Sequence, residues 1–245
     1  MNRRALRTQS KTEVMLTLRR GESVLLTLGI PLVLLVFFSV ADVLPTPDGI
    51  DDRVDFLFPG VLALAVMSAA MVGPAIATGF EREYGVLKRL AITPLGRPAL
   101  VGAKTVGILA VEVVQVLALT AIAVFLGWGS TDTQPLVALG AVLLGTVAFA
   151  GLGLLLGGTL PGLTTLAAAN GLYVLLLLVG GMLFPLESLP GWLQGVSRAL
   201  PPASLADLLH GTLEPGGDAP LRAWLVLGAW AIAGPVAAAR WFRWV

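Results

Sequence analysis

Apolar residues in this chain come in long runs, and the charged residues sit almost entirely in the short connections between them. A helix that crosses a bilayer needs about 20 mainly apolar residues. Residues 23–41, 58–79, 101–128 and 221–239 each meet that requirement. The charge-free tract from Pro135 to Leu186 is too long for one crossing. It is punctuated by Gly157-Gly158-Thr159-Leu160-Pro161-Gly162, and clustered glycine and proline break helices, which divides it into spans at 135–157 and 163–184. The pattern predicts an all-α integral membrane protein of six transmembrane helices forming one domain over residues 1–245.

The connections alternate in sign. Arg3, Arg4, Arg7, Lys11, Arg19 and Arg20 precede the first span, and Arg82, Lys88, Arg89, Arg97 and Lys104 lie around the second-to-third connection. Arg240 and Arg243 follow the last span. The first connection instead holds Asp42, Asp48, Asp51, Asp52 and Asp55 against only Arg53, the third Asp132, and the fifth Glu187, Asp207, Glu214 and Asp218 against Arg198, with Arg222 at its edge. Lys and Arg collect on the cytoplasmic side of membrane proteins, so six crossings with both termini cytoplasmic fit every connection. Two segments read as lying on the membrane. Ala5 to Arg20 mixes basic residues with Leu6, Val14, Met15, Leu16 and Leu18, which suits an N-terminal interfacial helix on an anionic leaflet. Between Pro185 and Gly217, Trp192, Leu193, Val196 and Leu200, then Leu205, Leu208 and Leu209, recur at helical spacing. These predict short outer helices, re-entrant or interfacial, before the last span. Pro31, Pro74 and Pro235 fall in or near spans, where kinks are tolerated. Gly153/Gly157 and Gly158/Gly162 make two GxxxG pairs of the kind that lets helices approach closely.

The densest charge inside the apolar sequence is the segment from Phe80 to Pro98. It is too short for a domain and too charged for lipid, and it reads as a short amphipathic helix at the cytoplasmic surface, from Glu83 to Thr93, stopped by Pro94. Composition agrees with a membrane protein: 56% hydrophobic and 13% charged, against about 25% charged in soluble domains. With a net charge of +1, general affinity for nucleic acid is not expected. No cysteine is present and the one histidine, His210, cannot build a metal site alone, so neither thiol nor histidine-metal chemistry is expected. No small-residue cleavage site follows the first apolar run, so no cleavable signal peptide is expected. The abundance of arginine, alanine, glycine and leucine leans towards a bacterial source.

Catalytic motifs are missing. Gly102-Ala103-Lys104-Thr105 resembles the end of a phosphate loop, but Ala103 separates the glycine from the lysine that must converge on phosphate with it. No HExxH or GxSxG occurs. Polar groups at bilayer depth are few. Glu112 lies inside the third span with Gln115 one turn on, and Asn170 lies in the fifth. A carboxylate at that depth is costly unless it faces protein, water or a partner. Two readings stay open for Glu112: a polar contact in a substrate pathway or subunit interface, and a neutral hydrogen bond that packs helices.

Glu81-Arg82-Glu83-Tyr84-Gly85-Val86-Leu87-Lys88-Arg89-Leu90, then Thr93-Pro94-Leu95 and Lys104, resembles the signature of type-2 ATP-binding-cassette exporter permeases. The resemblance extends to the six-span layout, the N-terminal interfacial helix and the outer helices, and within the family it leans towards bacterial daunorubicin and multidrug-resistance permeases. It implies a transport subunit with no catalytic, cofactor or metal site of its own, ATP and magnesium being bound by a separate cytoplasmic ATPase. Glu81, Glu83, Tyr84, Gly85, Leu87, Lys88, Arg89, Thr93 and Pro94 would form or anchor the coupling helix seated on that ATPase. Two ATPases and a second permease, the same or a related chain, would complete the assembly in a bacterial plasma membrane. The expected cargo is lipophilic drugs, antibiotics or lipids. The alternatives are a lipid-linked polysaccharide exporter, an intramembrane enzyme and a membrane scaffold without cargo.

Overall fold

A computed structural model describes residues 3–19, 21–41, 53–93, 95–129, 133–182, 186 and 189–244. Among these residues there are eleven α-helices, one π-helical turn and no strand. The helices are α1 (Arg3–Arg19), α2 (Gly21–Val40), α3 (Arg53–Met67), α4 (Gly73–Glu83), α5 (Val86–Ala91), α6 (Arg97–Phe125), α7 (Pro135–Thr159), α8 (Gly162–Val179), α9 (Gly191–Ser197), α10 (Pro201–Leu213) and α11 (Leu221–Trp241). The π-turn, Ser68–Val72, joins α3 to α4 without interrupting them. Proline chemistry gives a reason for its position. Pro74 has no N–H to offer the carbonyl of Ala70 and its ring crowds that carbonyl, so the turn before it widens.

Among the described residues five helices are long and apolar enough to cross a membrane: the continuous Arg53–Glu83, Arg97–Phe125, Pro135–Thr159, Gly162–Val179 and Leu221–Trp241. The first of the six expected spans corresponds to α2. That helix has 20 residues and is apolar over Thr27–Val40. The expected division of the long apolar tract falls where α7 ends and α8 begins, at Leu160 and Pro161. The acidic residues Asp42, Asp48, Asp51, Asp52, Asp132 and Glu187, with Arg20, Pro94 and Pro185, lie outside the described residues.

The bundle is organised around α7, which packs against α11 on one side and against α4 and the π-turn on another. Its glycines make that possible. A Cβ on Gly153 would lie 2.4 Å from the Met71 carbonyl oxygen, one on Gly157 2.4 Å from that of Ala75, and one on Gly151 2.4 Å from the Pro235 nitrogen. The Gly153/Gly157 pair is therefore a seam between α7 and the helix that carries the π-turn, where backbones touch without intervening side chains. The main core collects the inner faces of α2, α3, α6, α7, α10 and α11.

The two ends of the bundle differ. At one, α10 is embedded among α3, α7 and α11 as a core element. His210 is there paired with Glu214 at 2.5 Å and packed beside Phe56, and Arg222 is paired with Asp207 at 2.9 Å. The preceding α9 keeps Trp192 and Val196 exposed. At the other end lie α5, the start of α6 and α1, which runs along α6.

Candidate functional site

The segment expected to be one helix from Glu83 to Thr93 is two helices with a corner between them. Glu83 is the last residue of α4, and α5 runs only from Val86 to Ala91. The corner is local chemistry. Tyr84 and Gly85 donate their N–H groups to the carbonyls of Phe80 and Arg82 at 2.8 and 3.0 Å. Gly85 sits at φ +72°, the left-handed conformation that ends helices and that glycine alone adopts without a Cβ clash. The far end of α5 is closed by Thr93, whose N–H and hydroxyl both donate to the carbonyl of Leu90, at 3.0 and 2.6 Å.

This short helix has two unlike faces. Leu87 is fully buried, against Leu95, Ala99, Leu100 and Phe242, with Leu6, Leu90 and Trp244 at the rim. This satellite cluster is separate from the main core. Lys88 and Arg89 point outward, and Tyr84 and Ile92 are 73% and 88% exposed. An exposed face that combines two cations with an aromatic and an aliphatic side chain, on a rigidly seated base, is suited to contact with another protein.

Three consecutive charges at the end of α4 fan out to different elements. Glu81 Oε2 lies 2.6 Å from Lys104 Nζ at the start of α6, and the same ammonium is 3.4 Å from Glu13 Oε1 of α1. Gln9 donates to that Glu13 oxygen at 2.9 Å. Lys104 is 5% exposed, so one buried cation ties α4, α6 and α1 together. Arg82 Nη1 donates to the Gly158 carbonyl at the end of α7, 3.2 Å away, the helix terminus that favours a cation. Glu83 brings its carboxylate against Gly162, the first residue of α8, where a Cβ would be 2.4 Å from Oε2. That terminus favours an anion. Glu81, Glu83 and Lys104 stand out in the sequence, whereas Glu13 does not. The available signal was its being the lone acid in a basic helix, spaced one turn from Gln9.

Beside this hub an open groove of about 860 Å³ runs between α2, the π-turn with α4, and α8. It starts at Glu81 and Tyr84 next to α5 and extends to Leu64 and Ser68. Its walls are mostly apolar, with polar atoms from Thr27, Ser68, Asn170 and Tyr173. Asn170, singled out from sequence, thus lies on the groove, its amide donating to the Leu166 carbonyl at 2.8 Å. Glu112 and Gln115 do not line it. Both are 2% exposed. Gln115 donates to the backbone carbonyl of Thr27 at 2.8 Å, joining α6 to α2, and Glu112 accepts a hydrogen bond from Thr146 of α7.

The chain is thus a helical membrane bundle with a groove and a surface-seated short helix. Residues 4–213 match the ABC-2 type transporter family, and the chain belongs to that family. It is 28% identical over 205 residues, 80% of each chain, to the protein named "Putative transport permease YvfS" of Bacillus subtilis (strain 168). The chain is a membrane permease subunit, and membership of the family implies an ABC ATPase as its partner.

Proposed function

We propose that the chain is the permease of an ATP-driven exporter that moves lipophilic drugs, antibiotics or lipids from the cytoplasm or inner leaflet across a bacterial plasma membrane. The observation that carries this is the groove, whose mouth at Glu81 and Tyr84 adjoins α5 and whose walls are largely apolar. The α5 end is the cytoplasmic one, because Arg82, Lys88, Arg89 and Arg97 cluster there. The exposed face of α5 seats on the ATPase, and α2 serves as the sixth crossing. Two ATPases bind two permease copies, and the grooves of the two copies face each other to enclose the path. Asn170, an amide exposed on α8, then faces protein or cargo and not lipid. ATP-driven closure of the ATPases pushes α5 and rocks one packed arrangement into another.

The test is reconstitution with the partner ABC ATPase in liposomes, using daunorubicin as the probe. Hydrolysis of ATP rising with daunorubicin, and accumulation of the probe in inside-out vesicles, is the expected result. A complex that ignores daunorubicin but responds to a lipid-linked oligosaccharide points to the second reading, a glycan exporter. That reading is favoured by the aromatic rings of Phe80, Tyr84 and Tyr173 on the groove wall.

A further inference from the structure

We propose that Phe242 is a positioning residue for coupling, the wedge through which movement of α5 reaches the groove helix α8. The inference rests on the permease reading above. Beyond its junction with α4, α5 is seated through one fully buried side chain, Leu87, and that side chain belongs to the satellite cluster. Phe242, 1% exposed, is the buried member of the cluster that comes from beyond α11. Its ring meets Gly158 so closely that a Cβ there would lie 2.5 Å from Phe242 Cδ2. A ring buried in the cluster that seats Leu87, and pressed against the backbone of Gly158, cannot shift with that cluster without pressing on the glycine.

The same glycine is fastened twice. Its carbonyl accepts the Arg243 N–H at 2.9 Å and Arg82 Nη1 at 3.2 Å. Trp244 packs edge-on against Phe242, ring centroids 5.6 Å apart, and holds the wedge in place. Two residues beyond Gly158, Leu160 and Pro161 lead into α8, which carries Asn170 and Tyr173 to the groove. The path is therefore Leu87, Phe242, Gly158, α8. It is separate from the charged route through Lys104 to α6 and α1.

The test uses the permease–ATPase complex in liposomes with daunorubicin, scoring ATPase capture, basal hydrolysis, stimulated hydrolysis and thermal midpoint for each variant. Phe242→Ala is expected to retain ATPase capture and basal hydrolysis while stimulated hydrolysis per folded complex falls about fivefold or more, the range of ordinary coupling effects. Phe242→Leu, which refills most of the volume, restores much of it. Gly158→Ala removes nothing from the Leu87 cluster but forces the ring aside, so it uncouples alone and is rescued when combined with Phe242→Leu. If Phe242→Ala keeps full stimulation, or if stimulation falls only in proportion to folded protein and Gly158→Ala is silent, the proposal is overturned. A wild-type complex without stimulation by daunorubicin or by a lipid-linked oligosaccharide sinks the proposed exporter reading and this inference with it. A stimulated wild type beside an unimpaired Phe242→Ala sinks this inference alone.

Discussion

The two short helices α5 and α10 occupy opposite ends of the bundle, and neither is long enough to span, yet they are built for opposite purposes. Eleven of the 13 residues of α10 are buried. Only Leu87 is buried in the six-residue α5. The ionisable groups of α10 are used up within their own end, Asp207 on Arg222 and His210 on Glu214. Among the described residues Lys88 and Arg89 of α5 form no ion pair. A short helix becomes a plug when its apolar face runs all round and its charges are satisfied internally. It becomes a handle when it is anchored on one side and leaves the other unpaired. The contrast also fits the separation of cores, since the plug belongs to the main core and the handle rides on its own small one.

The largest blow to stability should come from the plug. Leu209 is fully buried in the main core, and Leu209→Ala removes its methyl groups and leaves a void. The expected loss is about 2–5 kcal/mol, read as a lowered thermal midpoint in detergent. An unchanged midpoint would mean that α10 is loosely held, and the contrast with α5 would fail.

A smaller loss is expected at the joint between the handle and the bundle. Lys104→Met leaves Glu81 and Glu13 facing each other without their shared cation. Both carboxylates retain some access to water, at 18% and 11% side-chain exposure, so the cost should be about 1–3 kcal/mol. Glu81→Gln combined with Lys104→Met, which also removes the charge on Glu81, should recover part of it. If the double substitution is worse than the sum of the singles, the cluster is not an ion pair in the sense described.

The handle itself should be nearly free of stability effects and heavy in functional ones. Lys88→Glu with Arg89→Glu changes only exposed positions, so the midpoint should stay put while ATPase capture and substrate-stimulated hydrolysis are lost. Capture that survives charge reversal would remove α5 from the docking surface.

Much of the fold was legible because lipid imposes one requirement on long stretches of chain. The apolar lengths marked α6, α7, α8 and α11, and Gly157 to Gly162 marked the division between two of them. The local devices were harder. Gly85 stood in plain view inside a charged, helix-like string, but a single glycine is tolerated in helices, and only its left-handed φ shows that it divides α4 from α5. The burial of α10 was invisible, since an apolar 13-residue helix looks the same whether it rests on lipid or on protein. Glu13 and Lys104 are 91 residues apart, beyond any periodicity. Phe242 was hidden for a similar reason: an aromatic residue next to the last span reads as an interfacial anchor, and only the close approach of Gly158 reveals its wedge position.

The smallest expected effect is at Glu112, where the same contrast between fixed and working parts is tested at bilayer depth. Thr146 Oγ1 lies within hydrogen-bond reach of Glu112 Oε2 and 2.8 Å from the carbonyl of Val142. A hydroxyl has one hydrogen to give, so it cannot donate to both at once. The amide introduced by Glu112→Gln brings its own hydrogens. It can donate to Thr146 while Thr146 donates to Val142, and the α6–α7 contact survives. If Glu112 belongs with the fixed parts, as its place outside the groove lining indicates, transport should be unchanged and the thermal midpoint should shift by no more than about 0.5 kcal/mol equivalent. Glu112→Ala should instead cost stability, because it leaves a void and takes a partner from Thr146. Transport abolished by Glu112→Gln with the midpoint intact would move Glu112 from the scaffold to the working path, and would extend that path from the groove into the α6–α7 interface.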